Sequence, residues 1–413
     1  MKILNFGSCN IDYVYSLDHI VHAGETETTY KLETFPGGKG LNQSIAAAKA
    51  GAEVYHAGCV GNDGGMLTDI LSASGVDVSY MKTVEGKNGH AIIQVSSEGE
   101  NSIFLYPGSN EMITKEFVDQ VLENFSPQDI LLLQNEISNV EYIIEQAYKK
   151  GICIALNPSP INETIKRIDF NKLSYVILNE VEAKEISGCE DPEESLVFFK
   201  KHYPNLKVML TLGKKGCVYM DSVCELHQPA FQVKAVDTTA AGDTFTGYFV
   251  AEIAKDTDYA EVLKIATAAS AIAVSRNGAA PSIPERNEVL HTLKDFKATM
   301  TNDKFEDLRN QIGEYLEHNI KTANLDELSK ILGYSTVYTG NLVKKLTDKS
   351  FSKLLQSKRC SIAAQLLADT DLSVEEIIES VGYENQSFFR EVFKEKYGKN
   401  PLAFRNRKKG HDQ

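Results

Sequence analysis

A chain of 413 residues is longer than one hydrophobic core usually serves, so two domains are expected. Apolar and charged fractions of 42% and 24% are those of a globular protein, and no apolar run reaches the roughly 20 residues that span a bilayer. The charge divides unevenly, net −15 over residues 1–300 and +1 over 301–413, which argues against nucleic acid as a partner of the first part and permits it for the second. Met1 to Asn5 begins like a buried strand and unlike a signal peptide. Seven scattered cysteines, never spaced C-x-x-C, argue for a reduced compartment and against a disulfide framework or a structural zinc site, so a cytoplasmic location and no membrane partner are expected.

In chain order, short β-rich runs at 3–6, 53–59, 130–134, 152–156, 175–178 and 208–211 alternate with helix-period segments such as 41–50, 140–150 and 181–187. That alternation predicts an α/β fold, a doubly wound and mostly parallel sheet covered on both faces. Segments 26–35 and 89–106, the latter with a turn at Glu98 to Asn101, break the alternation and read as antiparallel strands of a small β flap. A β-rich run at 231–236 leads through Asp237-Thr238-Thr239-Ala240-Ala241-Gly242-Asp243 into an apolar helix at 244–253, and a last helix is expected at 285–296. The polar stretch 297–304 is the expected linker between domains 1–296 and 305–407. Beyond it the pattern is all helical, with two similar helix–glycine turn–helix units at 325–345 and 374–394 joined by a long helix at 351–369, an all-α double helix-turn-helix domain.

Four segments of the first part point to one chemistry. In Asp237 to Asp243, small residues let successive N–H groups converge where a helix begins, an end suited to phosphoryl oxygens, and Asp243 stands beside whatever they hold. Asp in a first helical turn is also an ordinary cap. Phe35-Pro36-Gly37-Gly38-Lys39-Gly40-Leu41-Asn42 places glycines, a cation and an amide before a helix, as contact with a polyhydroxyl ligand needs, or as a tight turn would. Asn10 and Asp12 follow the first strand, at the end of the sheet where doubly wound folds bind ligands. Asn179-Glu180-Val181-Glu182 can offer oxygens to a hydrated Mg²⁺ or simply cap a helix, and Thr211 to Gly216 reads as a nucleotide-facing turn or a hairpin turn. The absence of G-x-x-x-x-G-K-[ST] excludes a Walker-type site.

These segments, in this order over residues 1–295, resemble the ribokinase-like (PfkB) carbohydrate kinases. The resemblance implies ATP-dependent phosphorylation of a sugar hydroxyl, with Asp243 as catalytic base and the N–H groups of Ala241, Gly242 and Asp243 as the anion hole. It implies sugar contacts from Asn10, Asp12, Gly38, Lys39, Asn42, Glu136 and Asp243, and ATP contacts from Asn179, Thr211, Gly213 and Gly216. Asn179 and Glu182 correspond to the motif that organises Mg²⁺. A K⁺ site is implied at the Asp237 and Ser282 side chains and the carbonyls of Thr239, Ala273, Arg276 and Gly278. Lys39, Asn10-Ile11-Asp12 and Tyr106-Pro107-Gly108-Ser109-Asn110 look like the ribokinases within this family, which makes D-ribose the expected substrate, ahead of another pentose, a hexose or a nucleoside.

Residues 305–407 resemble the AraC-type DNA-binding module. Ile377, Ile378, Val381, Phe389 and Phe393 have core spacing. Asn385, Gln386, Ser387 and Arg390 open the following helix and are expected at base edges or phosphates, with Lys394, Lys396 and Arg405 on the DNA backbone. The first unit departs from the family through Gly340 in its second helix and Asp348 after it, which weakens base readout by Val337, Gly340 and Asn341; Lys344 and Lys345 remain phosphate candidates. The expectation for the whole chain is therefore a sugar kinase that also binds double-stranded DNA and regulates transcription, a homodimer through its flap. The alternative is a regulator whose kinase fold only senses sugar or ATP.

Overall fold

The computed structural model describes residues 1–299, 305–334, 336–347, 349–383 and 385–409. It divides into two compact units, Met1–Lys294 and Asp295–Gln413. Strands of the first unit are β1 (Lys2–Phe6), β2 (Asn10–Ser16), β3 (Lys31–Gly37), β4 (Glu53–Val60), β5 (Asp77–Thr83), β6 (Gly89–Val95) and β7 (Asn101–Tyr106). They continue as β8 (Ile130–Gln134), β9 (Cys153–Asn157), β10 (Tyr175–Asn179), β11 (Lys207–Thr211), β12 (Cys217–Met220) and β13 (Glu225–Gln228). Nine of them make one sheet in the order β13-β12-β11-β10-β9-β8-β1-β4-β5. Neighbours from β11 through to β5 run parallel, and only β12 and β13 are antiparallel.

The strands are apolar on both faces because helices cover both. Leu4, Phe6, Leu131, Leu133, Ile154, Leu156, Val176 and Val208 point into one large core cluster. The opposite face carries Asn5, Gln134 and Asn157 among its apolar residues, all buried. Helices Lys39–Lys49 and Ala241–Ala254 hold the ligand-facing motifs and pack tightly on each other: a Cβ on Gly247 would lie 2.4 Å from Ala46 Cβ.

The flap is a separate four-stranded sheet, β3-β2-β6-β7. Its expected strands at 26–35 and 89–106 are observed as Lys31–Gly37 and as the β6–β7 hairpin. Its central strand β2 was not expected: Asn10 and Asp12 lie on a strand paired with β3 and β6, and not in a loop after β1. Alternating Asn10, Asp12 and Tyr13 conceal an element whose partners are distant in sequence. The β-rich run at 231–236 forms no strand; Val236 and Asp237 instead donate their N–H groups to the Val274 carbonyl. The helix expected at 285–296 runs Arg286–Thr299, so it takes in the start of the expected linker, of which residues 300–304 lie outside the described residues.

In the second unit, helices Leu325–Leu332 and Thr336–Thr347 form the first helix-turn-helix pair, and Val374–Ser380 and Gln386–Tyr397 the second. Helix Phe351–Asp369 joins them, with Phe351 in the first core cluster and Cys360, Ala363 and Leu367 in the second. No helix among the described residues is long and apolar enough to cross a membrane.

Candidate active site

Asp243 sits in the first turn of helix Ala241–Ala254, 7% exposed. Its Oδ2 accepts from Asn42 Nδ2 at 3.0 Å and its Oδ1 from Gln43 Nε2 at 2.9 Å. Burial pushes its carboxyl above the usual range, opposed by Lys39, Gln43 and Asn42. The helix has no side-chain cap. Of the three N–H groups implied as an anion hole, that of Ala241 is taken by the Thr238 carbonyl at 3.2 Å. The N–H groups of Gly242 and Asp243 meet no acceptor among the described residues, and the space beside Gly242 is open. Two of the three expected donors thus stand without an acceptor here, and the turn before the helix engages the first.

Asp237 ties this loop down. Its Oδ1 accepts from Thr239 N–H and Oγ1, and its Oδ2 from Gly278 N–H at 2.9 Å. Burial raises its carboxyl, but these bonds outweigh that effect and hold it below the usual range. Ser282 is buried and donates to the Ala279 carbonyl, while the Ala273 carbonyl accepts from Arg276 N–H. The two loops thus bring together carboxylate, hydroxyl and carbonyl oxygens, a donor set that fits a hard cation.

Glu136, at the end of the β8 connection, accepts from Ser8 Oγ and from Lys39 N–H at 3.1 Å. Asn10 Oδ1 accepts from Asn110 Nδ2 at 2.7 Å. Asp12 feels both other carboxylates: burial first, then Glu136 and Asp243, lift its carboxyl to about 7. Lys39 answers them. Burial lowers its ammonium, but Asp243, Glu136 and Glu182 together leave it above the usual lysine value. The chain therefore gathers Asn10, Asp12, Lys39, Asn42, Glu136 and Asp243 around one polar space, with Gly38 entering the Lys39 helix at φ 95°. Asn42 Oδ1 is buried there with no hydrogen-bond partner among the described residues.

Next along the sheet's carboxyl edge, Asn179 ends β10 beside Thr211 at the end of β11. Asn179 and Glu182 make a reciprocal capping box: Glu182 N–H donates to Asn179 Oδ1 at 2.9 Å and Asn179 N–H to Glu182 Oε2 at 3.0 Å. The capping reading is the one observed; the cap occupies Asn179 Oδ1 and Glu182 Oε2. Gly213 opens a short 3₁₀ turn, and Gly216 follows at φ 105°, where a Cβ would lie 2.0 Å from the Gln228 carbonyl. Only glycine fits there.

Residues 1–286 match the pfkB family carbohydrate kinases. The chain belongs to that family. The Haemophilus influenzae ribokinase is 36% identical over 303 residues, 70% of this chain and 97% of the relative. The Bacillus subtilis ribokinase is 36% identical over 296 residues, 71% and 99% of the two chains. A solved Arabidopsis thaliana ribokinase, complexed with ribose and ATP, superposes with a TM-score of 0.64 at 27% identity, covering 71% of this chain and 98% of its own. The pfkB unit is thus an ATP-dependent carbohydrate kinase with the ribokinase-like fold. Residues 328–407 match a helix-turn-helix domain of AraC type, so this sugar kinase is fused to a DNA-binding domain.

Within that second domain, Asn385 caps helix Gln386–Tyr397 by accepting from Phe388 N–H, which leaves its Nδ2 to donate. Gln386, Ser387 and Arg390 are exposed beside it, and Arg390 pairs with Glu375 at 2.8 Å. Lys396, exposed, bonds Ser357 and Ser361, and Arg405, half-buried, bonds the carbonyls of Leu367 and Leu372. These bonds stitch the long helix to its neighbours. Lys344, Lys345 and Lys394 are exposed. Gly340 lies in helix Thr336–Thr347, where a Cβ would only touch Leu325 at 3.4 Å. Asp348 and the Val337 side chain lie outside the described residues.

Sequence reasoning passed over Ser8, Gln43, Gln134 and Asn157. Each is a buried polar residue outside any motif spacing, and only the rule that buried polar groups find partners singles it out.

Proposed function

We propose that the chain phosphorylates D-ribose to ribose 5-phosphate with ATP and binds DNA as a transcription regulator, with domains at 1–296 and 305–407 joined by 297–304. The observation that carries the kinase reading is Asp243, buried between two amide donors in the first turn of a helix whose Gly242 and Asp243 N–H groups meet no acceptor among the described residues. Asp243 takes the proton of the sugar hydroxyl as that oxygen attacks, while the Gly242 and Asp243 N–H groups and Lys39 compensate charge on the moving phosphoryl group. Asn10, Asp12, Asn42 and Glu136 hold the sugar hydroxyls. Asn179, Thr211, Gly213 and Gly216 line the nucleotide. Mg²⁺, when bound near Glu182 and Asn179 with ATP, neutralises the phosphate oxygens. The all-oxygen set at Asp237, Thr239, Ala273, Arg276, Gly278 and Ser282 suits K⁺, which would brace the Gly242 loop. Asn385, Gln386, Ser387 and Arg390 read the DNA, with Lys344 and Lys345 on its backbone, in the cytoplasm. Ribose is favoured by the ribokinases at 36% identity over nearly their whole length.

The test is an ATP-coupled assay over pentoses, hexoses and nucleosides, run in matched KCl and NaCl with wild type and Asp243→Asn. Ribose should give the highest kcat/KM and K⁺ the higher rate, and the variant should keep sugar binding while losing more than about 90% of kcat, over 1.4 kcal/mol of barrier. Sugar binding without turnover in the wild type would instead establish the fold as a sensor, the reading that the fused DNA-binding domain favours.

A further inference from the structure

Behind the proposed base lies a line of buried amides whose direction is dictated from both ends. Asn5 Nδ2 donates to the Gly40 carbonyl at 2.8 Å and to Ser44 Oγ at 2.8 Å, so Asn5 Oδ1 must face the other way, toward Gln134. Gln134 Nε2 donates to that oxygen at 3.1 Å and to Gln43 Oε1 at 2.7 Å. With its oxygen thus occupied, Gln43 presents Nε2 to Asp243 Oδ1 at 2.9 Å and to Asn157 Oδ1 at 3.1 Å. Asn157 is held from the far side in the same sense, since its Nδ2 donates to the Ile177 carbonyl at 2.9 Å. A main-chain carbonyl cannot donate, so neither end of the line can be reversed without losing bonds. Asn5, Gln43 and Gln134 are at most 1% exposed.

We propose that Gln43 is a positioning residue for phosphoryl transfer, and that Asn5, Gln134 and Asn157 aim its N–H at Asp243. Gln43 acts through Asp243, so the inference rests on Asp243 being the base. Asn42 and Gln43 are successive residues of one helix, and each takes one oxygen of the carboxylate; together they set its plane and leave each oxygen a free lone pair for the sugar hydroxyl. Donation to the charged form also favours ionisation, against burial and in concert with the Lys39 ammonium.

Gln43→Met keeps the volume and removes the donor. It should lower kcat roughly tenfold or more while KM for sugar and ATP stays within about threefold, since a charge-assisted bond near the reacting atoms is lost and no substrate contact is. The acid limb of the kcat profile should move upward by about one pH unit, because the base then protonates more readily. Gln134→Met leaves both donors of Asp243 in place but frees Gln43 to turn; it should show the same changes at smaller amplitude, and it serves if Gln43→Met does not fold. A merely structural role would lower the melting temperature and leave the pH profile of the folded enzyme unmoved. If Asp243→Asn is inactive while both folded variants match wild type in kcat across pH, the positioning role is overturned and the base assignment stands. If Asp243→Asn keeps full activity, the base assignment fails and the positioning role with it.

Discussion

Asp12 illustrates what close packing of carboxylates costs a single residue. Its carboxyl, raised to about 7 by burial and then by Glu136 and Asp243, binds more protons in the folded chain than in the unfolded one between its two pKa values. Stability therefore falls as pH rises through that window, the reverse of the usual carboxylate case, by up to roughly 4 kcal/mol for a shift of about three units. Asp12→Asn removes this loss. Without sugar, its thermal midpoint should decline less than that of wild type between pH 5 and pH 8, and calorimetry at the two pH values checks it. Parallel declines would mean that Asp12 ionises as freely as in the unfolded chain. The same substitution should weaken sugar binding, so stability and affinity are expected to move in opposite directions.

Two helices carry the chemistry as elements. Helix Lys39–Lys49 supplies Lys39, Asn42 and Gln43, helix Ala241–Ala254 supplies Asp243, and Gly247 is where they touch. A Cβ at Gly247 would lie 2.4 Å from Ala46 Cβ and 2.6 Å from the Gln43 carbonyl, both parts of stiff helix and not the ends of flexible side chains. Gly247→Ala should therefore separate the helices, costing about 1–3 kcal/mol of stability as overpacking does. It should also lower kcat, because the Asn42 and Gln43 amides would retreat from Asp243. Denaturant unfolding together with steady-state kinetics measures both. An unchanged kcat at reduced stability would show that the helix ends adjust independently of the crossing. The glycine has no place in any ligand-binding motif, yet it sets the distance between two of them.

At the scale of the whole molecule, the flap sheet exposes Leu32 on β3 and Ile103, Phe104, Leu105 and Tyr106 on β7, each about half exposed. An edge strand so apolar is an association surface, and pairing through it would give the proposed homodimer. Sedimentation at micromolar concentration should show a dimer for wild type and a monomer for a Phe104→Glu, Leu105→Glu variant; a wild-type monomer with and without sugar would refute the pairing. A dimer also presents two DNA-binding domains to neighbouring half-sites. Ribose with a non-hydrolysable ATP analogue should then change affinity for the chain's own promoter fragment by roughly 5–150-fold, the usual range of allosteric coupling. Titrations at one fixed salt concentration test this, because phosphate contacts make affinity salt-dependent. Coincident curves with ligands bound would mean that the two domains are merely tethered.

The order of elements, the family and the division of labour between two halves were all legible in the sequence, because each rests on local signals. Alternating apolar runs predicted β1, β4, β8, β9, β10 and β11, the glycine-rich stretches marked where helices begin at Lys39 and Ala241, and the repeated glycine turns announced the paired helix-turn-helix units. Long-range partners were not legible. Strand β2 exists because β3 and β6 flank it, and the 231–236 run is no strand because its last residue bonds helix-end carbonyl 274. The carbonyls and hydroxyls that Lys396 and Arg405 bond lie on other helices, and no local signal pointed to them. The line from Asn5 to Gln43 spans 129 residues of chain between its first two members alone, and no spacing rule reaches that far. Local sequence determines which backbone form and which chemistry a segment can offer; only tertiary structure decides which donor meets which acceptor, because a hydrogen bond is satisfied by position in space and not by position in the chain.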